Sequence, residues 1–381
     1  PIYGKLSDLF GRVRMLNIGI GLFLAGSVAC ALAQDLPTLL AARVLQGLGG
    51  GGLIALAFTV IADCIPPREV GKYQGYISAV YAVSSIAGPL LGGYFTEQLS
   101  WRWIFWINLP LGALALWLVN RNLGHLNVRR HSRFDWKGAG LLITVTTLSL
   151  LLLSPETALS AIWLAAGLAL ALLLLILVER RAQDPILPAH LARLPGYLVS
   201  VLLALASQLL MFAVLVYLPL QMQWQKGMGA SESGLYMVIF MVCITAGAFV
   251  GGKLIGRTGY YKRFVVAGFA LAALALWQIH FDLFANLGLG FAGLGLGLVL
   301  PALSVVVQNA LPREDRGIGM SLFNFGRELG GAVGVAICAV LFHGALPAGT
   351  SHNLASLSPA ELAPGFSATY VGMAMIASAA F

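Results

Sequence analysis

Eleven apolar runs of roughly membrane-spanning length follow one another along this chain with short polar breaks between them. They lie near residues 15 to 33, 38 to 62, 74 to 96, 103 to 120, 136 to 153, 160 to 178, 198 to 220, 233 to 251, 264 to 281, 287 to 309 and 318 to 342. A helix needs about 20 apolar residues to cross a hydrocarbon core. A twelfth run begins near residue 369 and stops at Phe381 after 13 residues, too few to cross. Lipid offers no partner for backbone N–H and C=O groups, so a spanning segment is a helix or part of a closed barrel. The runs lack the period-2 alternation of barrel strands. The expected fold class is an all-α membrane protein, and the 10% content of charged residues, against about 25% in soluble domains, agrees.

The net charge of +8 reflects topology rather than affinity for nucleic acid. Of the 23 Lys and Arg residues, 19 fall in alternate loops beginning with the opening turn, Arg102 and Lys226 are alone in the opposite set, and Arg43 and Arg327 lie inside apolar runs. This asymmetry places the opening turn in the cytoplasm. The loop 343 to 368 carries no Lys or Arg and is assigned to the outside. Cys30, Cys64, Cys243 and Cys338 sit in or beside apolar runs without CxxC spacing, which suggests neither a disulfide framework nor a metal site.

An internal repeat organises the chain. "GKLSDLFGRVR" at residue 4 returns as "GKLIGRTGYYK" at residue 252, aligning Gly11 with Gly259 and Arg14 with Lys262. "IPPREVG" and "LPREDRG" follow the two copies at a similar remove. Eight runs separate the copies, whereas a plain duplication of six-helix halves would separate them by six. Two helices are therefore expected as an insertion, best placed at 136 to 153 and 160 to 178, and two more are expected ahead of residue 1. The expected domains are 1–120 (remainder of a first bundle), 121–196 (the inserted pair with its basic loops) and 197–381 (a second bundle whose last helix is cut short).

Four motifs in this order resemble those of the major facilitator superfamily, in particular its 14-helix drug:proton antiporters of the EmrB/QacA type. "GKLSDLFGRVR" is similar to the loop motif between the second and third helices, and "RVLQG" at 43–47 to the fourth-helix motif with its intramembrane Arg. "AGPLLGG" at 87–93, with Gly88, Pro89, Gly92 and Gly93, resembles the fifth-helix antiporter motif, and "WRWIFWINLPLG" the segment that follows it. The family pattern has a Gly where this chain has Ser84. The resemblance implies a fold of two pseudo-symmetric six-helix bundles and alternating access driven by a proton gradient, without a cofactor.

In the opening turn, Gly4 and Gly11 allow tight backbone geometry, and Asp8 stands four residues from Arg12, close enough to pair on a helix. Lys5 and Arg14 read as topology anchors. For Asp8 and Arg12 the resemblance implies a cytoplasmic latch between halves, with Asp63 as a further partner of Arg12 and the helix start near Gly317 as an anion-favouring site for Asp8. Gly256 and Tyr260 replace Asp8 and Arg12 in the second copy, so such a latch is asymmetric. Arg43 must face protein, face a wet cavity or snorkel to the outer surface, because a cation inside the bilayer costs at least about 2.5 kcal/mol. The resemblance gives it a role in proton movement, with a partner carboxylate expected on an earlier helix. Pro89 bends its helix, and Gly88 with Gly92 forms a GxxxG face suited to close helix packing.

Arg327 and Glu328 lie about ten residues into a later run. As neighbours they do not share a helix face, so each is expected to have its own partner. Glu328 is either a proton carrier or half of a structural ion pair with another helix. Desolvation and a neighbouring Arg act oppositely on a carboxylate's proton affinity, the combination a carrier needs. Gly47, Gly49 to Gly52 and the Gly-rich stretch 288 to 297 read as packing surfaces, and Gln208, Gln221 and Gln308 as possible cavity-lining groups.

The expected function is proton-driven export of amphipathic small molecules across the cell (inner) membrane, with a periplasmic adaptor as a partner if the source is Gram-negative. A facilitator-fold transporter of lipids or metabolites, or a transporter-like sensor, is the alternative. No HExxH, GxSxG or P-loop signature of an enzyme is present.

Overall fold

The computed structural model describes residues 2–54, 56–57, 60, 70–123, 135–153, 161–182, 185–280, 285–312, 315–346 and 357–381, and among these there is no strand. The helices are α1 (Ile2–Phe10), α2 (Arg12–Leu32), α3 (Leu36–Gly50), α4 (Val70–Gln98), α5 (Trp103–Trp106), α6 (Asn108–Leu123), α7 (Trp136–Leu152), α8 (Ala161–Arg181), α9 (Ala189–Ala192), α10 (Pro195–Trp224), α11 (Ala230–Thr258), α12 (Tyr261–His280), α13 (Ala285–Ala310), α14 (Arg316–Gly344) and α15 (Pro359–Ala380). Among the described residues, nine segments are long and apolar enough to cross a membrane. The chain forms two compact units, Pro1–Trp136 and Lys137–Phe381.

In the first unit the opening stretch is a helix, not a loop. It ends because Gly11 has φ 96°, a conformation that costs an L side chain and that Gly adopts freely. The equivalent Gly259 closes α11 at φ 72°, so both copies of the repeat turn on a left-handed glycine. Gly4, expected to share that role, lies in α1 and a Cβ there would meet no atom within 4 Å. Asp8 and Arg12 fall on different helices, which removes the within-helix spacing argument for their pairing.

α3 begins on a capping box. The Asp35 carboxylate accepts from the Thr38 N–H at 2.8 Å, and the Asp35 N–H donates to Thr38 Oγ1 at 3.4 Å, satisfying donors a helix start leaves open. The Thr38 backbone and hydroxyl bonds hold the Asp35 carboxyl below its ordinary value. The cap is therefore in place above the usual carboxylate range and is lost as pH falls through the lowered value. The run expected from 38 to 62 does not continue as one helix. α3 stops at Gly50 and the chain turns at Gly51–Gly52. The Tyr3 hydroxyl takes the Leu48 carbonyl that Gly52 would otherwise use, and the Tyr3 ring fills the place of a Gly52 Cβ.

The second unit is built on glycine seams. Lipid gives helices no hydrophobic reason to associate, so close van der Waals approach has to hold them. Gly326, Gly330 and Gly334 on α14 lie against Val201, Leu205 and Leu209 of α10, in the same order along both helices, so the pair runs parallel. A Cβ on Gly330 would stand 2.3 Å from the Leu205 carbonyl oxygen. α13 uses two faces. Gly293 and Gly297 meet Phe240 and Ile244 of α11, while Gly288 and Gly295 meet Ile279 and Ala272 of α12. The Gly-rich run is thus a packing surface, with Phe240, Phe269, Leu289 and Val299 sealed beside it. Large residues such as Ile162, Phe249 and Leu274 remain outside, as side chains bathed in lipid do.

The last helix departs from the expectation of a cut-off span. α15 has 22 residues and starts at Pro359, not near 369. Ser358 and Glu361 form a capping box with Pro359 in the first turn, where a missing N–H costs nothing. Pro364 comes soon enough after the start to be carried inside the helix.

Widening Gly330 to Val in the full-length protein is expected to lower stability by about 1–3 kcal/mol. Gly252→Ala, where a Cβ meets nothing within 4 Å, should leave it unchanged or slightly raised. Thermal unfolding of the solubilised protein reads both, and an unchanged midpoint for Gly330→Val contradicts the seam.

Candidate functional site

Polar groups inside these helices fall into separate clusters, two of them carrying an Arg within an apolar run. In the first unit Arg43 stands seven residues into α3, roughly 10 Å along the helix. Its guanidinium donates to the Gln46 side-chain oxygen and lies over the Phe105 ring, 5.9 Å from its centroid. The Gln46 amide donates in turn to Ser27 Oγ at 2.8 Å, and Asn108 Nδ2 reaches the same oxygen at 3.2 Å. The partner of Arg43 is therefore a neutral amide on its own helix, and among the described residues no carboxylate reaches it. Its bond points one turn deeper into the helix, which speaks against snorkelling outward. Glycines permit this convergence. A Cβ on Gly26 would lie 2.4 Å from Gln46 N, and one on Gly112 would lie 2.4 Å from a Leu24 methyl, so α2 approaches both α3 and α6 closely. Nearby, Arg102 donates to the Ala33 carbonyl at 2.8 Å and stacks on Trp101, tying the α2–α3 turn to the start of α5.

At the other end of this unit Arg12 is almost fully buried. Its Nη1 donates to Ser7 Oγ at 2.5 Å, and the Ser7 hydroxyl donates to the Gly4 carbonyl at 2.7 Å. Ser7, completely buried, is a partner that sequence reasoning missed. The equivalent position in the second copy is Ile255, and Tyr260 there lies under Arg263 at 4.5 Å. The polar contact of the first copy thus has an apolar and aromatic counterpart. The Asp8 side chain and the whole of Asp63 lie outside the described residues.

Pro89 is carried inside the 29-residue α4. The close-packing face expected at Gly88 and Gly92 is not engaged, since a Cβ on either would meet no atom within 4 Å among the described residues. Gly93 is buried.

In the second unit Arg327 and Glu328 bond to each other at 3.1 Å, which corrects the expectation of separate partners. The 100° between adjacent helix positions keeps short side chains apart, but these two are long enough to reach around the turn. Their environments differ. Glu328 is 58% exposed and Arg327 27%, and Arg327 Nε is a buried donor without a partner among the described residues. With Gly326, Gly330 and Gly334 facing α10, helical geometry turns Glu328 to the opposite side of α14. It stands twelve residues into α14, roughly 18 Å along.

Three further features of this unit were wholly or partly missed from sequence. The buried Tyr370 hydroxyl donates to Gln221 Oε1 at 2.8 Å, and the Gln221 amide donates to Gln225 at 2.9 Å. Phe342 stacks edge-on with Phe366 at 4.9 Å and lies 6.0 Å from Tyr217. His190 on the short α9 meets Asp315, the cap residue of α14, at 3.0 Å. Of the other glutamines, Gln208 is buried with its oxygen unpartnered, and Gln308 is exposed.

Among the described residues, eight long segments separate Gly11 from Gly259: α2, α3, α4, α5 with α6, α7, α8, α10 and α11. Comparison with known proteins supports an all-helical membrane fold of this kind. Among curated relatives, an uncharacterized MFS-type transporter of Mycobacterium tuberculosis is 35% identical over 354 residues, covering 90% of this chain and 51% of its own length. Multidrug transporter protein MdtP of Bacillus subtilis is 32% identical, covering 90% of this chain and 65% of its own. Multidrug resistance protein 3 of the same species is 31% identical, at 88% and 68%. The chain thus spans about half to two thirds of the length of these relatives. A solved POT family transporter in complex with a thioalcohol-conjugated peptide superposes with a TM-score of 0.70 at 14% identity, over 99% of this chain and 82% of that one. A bacterial homologue of the human lysosomal transporter Spinster gives 0.65 at 18% identity, over 100% and 83%; at such identities the likeness is one of fold. The family model described as Major Facilitator Superfamily matches residues 1–335, and the chain belongs to that superfamily.

Proposed function

We propose that this multi-pass membrane transporter exports amphipathic small molecules in exchange for protons. One observation supports the reading above the rest: a guanidinium within an apolar helix, held by neutral groups and reached by no carboxylate among the described residues. A cation there is costly and marks a functional site by default. Facing an anionic group it lowers that group's proton affinity, and moving away it restores it. A conformational cycle can use that difference to take up a proton on one side and release it on the other. The names of two relatives, multidrug transporter and multidrug resistance protein, support the substrate class.

In this reading Glu328 is a second proton-active group. Its exposed carboxylate keeps Arg327 as a partner in one state and can give it up in another. Asp8, Arg12 and Asp63 form the cytoplasmic latch, with Ser7 holding Arg12 in place. The 14-helix arrangement, with α7 and α8 between two six-helix halves, is the topology we favour; the two left-handed glycines eight segments apart support it.

Arg43→Gln and Glu328→Gln in the full-length protein are each expected to cut proton-driven ethidium efflux in everted membrane vesicles at least about tenfold, a barrier change of about 1.4 kcal/mol, at unchanged membrane levels. Wild-type efflux from both variants would remove the two residues from the mechanism. Asp8→Asn should slow turnover while leaving ethidium affinity within about twofold, an effect smaller than 0.5 kcal/mol. A large loss of affinity with normal turnover contradicts the latch.

A further inference from the structure

The bonds around Ser27 determine which way the Gln46 amide points. A serine hydroxyl has one proton to give and two lone pairs to fill. Ser27 Oγ gives its proton to the Phe23 carbonyl at 2.8 Å, an oxygen that can only accept. Both lone pairs then take amide N–H donors, from Gln46 at 2.8 Å and Asn108 at 3.2 Å. Ser27 is completely buried and Gln46 nearly so, so these side-chain bonds are shielded from bulk solvent. With its NH2 committed to Ser27, Gln46 must present its oxygen to Arg43. Flipped, it would aim N–H donors at a cation that has nothing to accept with.

We infer that Ser27 and Asn108 are positioning residues for Arg43: they lock the Gln46 amide in the orientation that holds the guanidinium, and through it they determine whether transport is coupled to protons. The inference rests on the coupling role proposed for Arg43. The two residues contribute unequally. Ser27 supplies the acceptor for the Gln46 NH2, whereas Asn108 fills the second lone pair and fixes the hydroxyl from the α6 side. This gives the Asn of the "WINLPLG" segment a task 81 residues distant in sequence and explains why α2, α3 and α6 converge through Gly26 and Gly112.

The test uses the full-length protein in proteoliposomes with ethidium as probe, comparing wild type with Arg43→Gln, Ser27→Ala, Asn108→Ala and Ser27→Thr. Proton-driven transport and equilibrium ethidium binding are both measured. Ser27→Ala should match the loss seen in Arg43→Gln, at least about tenfold, and Asn108→Ala should fall between it and wild type, both with ethidium binding retained. Ser27→Thr, which keeps the hydroxyl, should restore proton-driven transport. Wild-type transport in Ser27→Ala overturns the inference, as does equal failure of the Thr and Ala variants. Parallel loss of binding and transport also overturns it, since that is the mark of a merely structural residue. If Arg43→Gln itself transports normally, the coupling role of Arg43 fails instead.

Discussion

A guanidinium within an apolar helix needs polar partners, and the polar side chains of α2, α3 and α6 are arranged around that requirement. Among the described residues Arg43 is met by an amide and an aromatic face, not by a carboxylate. A tight ion pair would neutralise the charge in every state of the cycle. A neutral clamp holds the side chain while leaving its charge available to whatever anionic group approaches next. The clamp needs three helices within hydrogen-bond reach of one serine, which is where glycine enters: without Gly26 the backbone of α3 could not come close enough to α2 for Gln46 to reach Ser27.

The same physics shapes the second unit without the charge. Gly326, Gly330 and Gly334 let α14 lie along α10, and α13 turns one glycine face to α11 and another to α12. These seams are the source of rigidity, because lipid tails are as apolar as the side chains they would displace. Arg327 and Glu328 sit on α14 but off its seam. One helix thus packs through glycine on one face while carrying an ion pair on another.

The fold was legible to the extent that it depends on local pattern. Length and hydropathy located most of the spans, and the repeat foresaw that Gly11 and Gly259 would be equivalent. Sequence reasoning failed where a distant or a weak local signal decided. Tyr3 reaches the Leu48 carbonyl, 45 residues away, near the end of α3. The start of α15 was written in Ser358 and Glu361, a capping box that lies ahead of the apolar run and that hydropathy does not register. At the candidate site, Arg43 and Gln46 share a motif, but Ser27 and Asn108 come from other helices and only packing brings them in. Arg327 and Glu328 were separated on the rule that adjacent positions face apart, which neglects the length of the two side chains.

The account stands or falls on whether the charge at Arg43 is linked to a titrating group through substrate binding. Adding ethidium to the purified, detergent-solubilised full-length protein in weakly buffered solution and recording pH tests this without any gradient or cycle. The account predicts proton release on binding in the wild type and none in Arg43→Gln at saturating ethidium. Undiminished release from Arg43→Gln would contradict it.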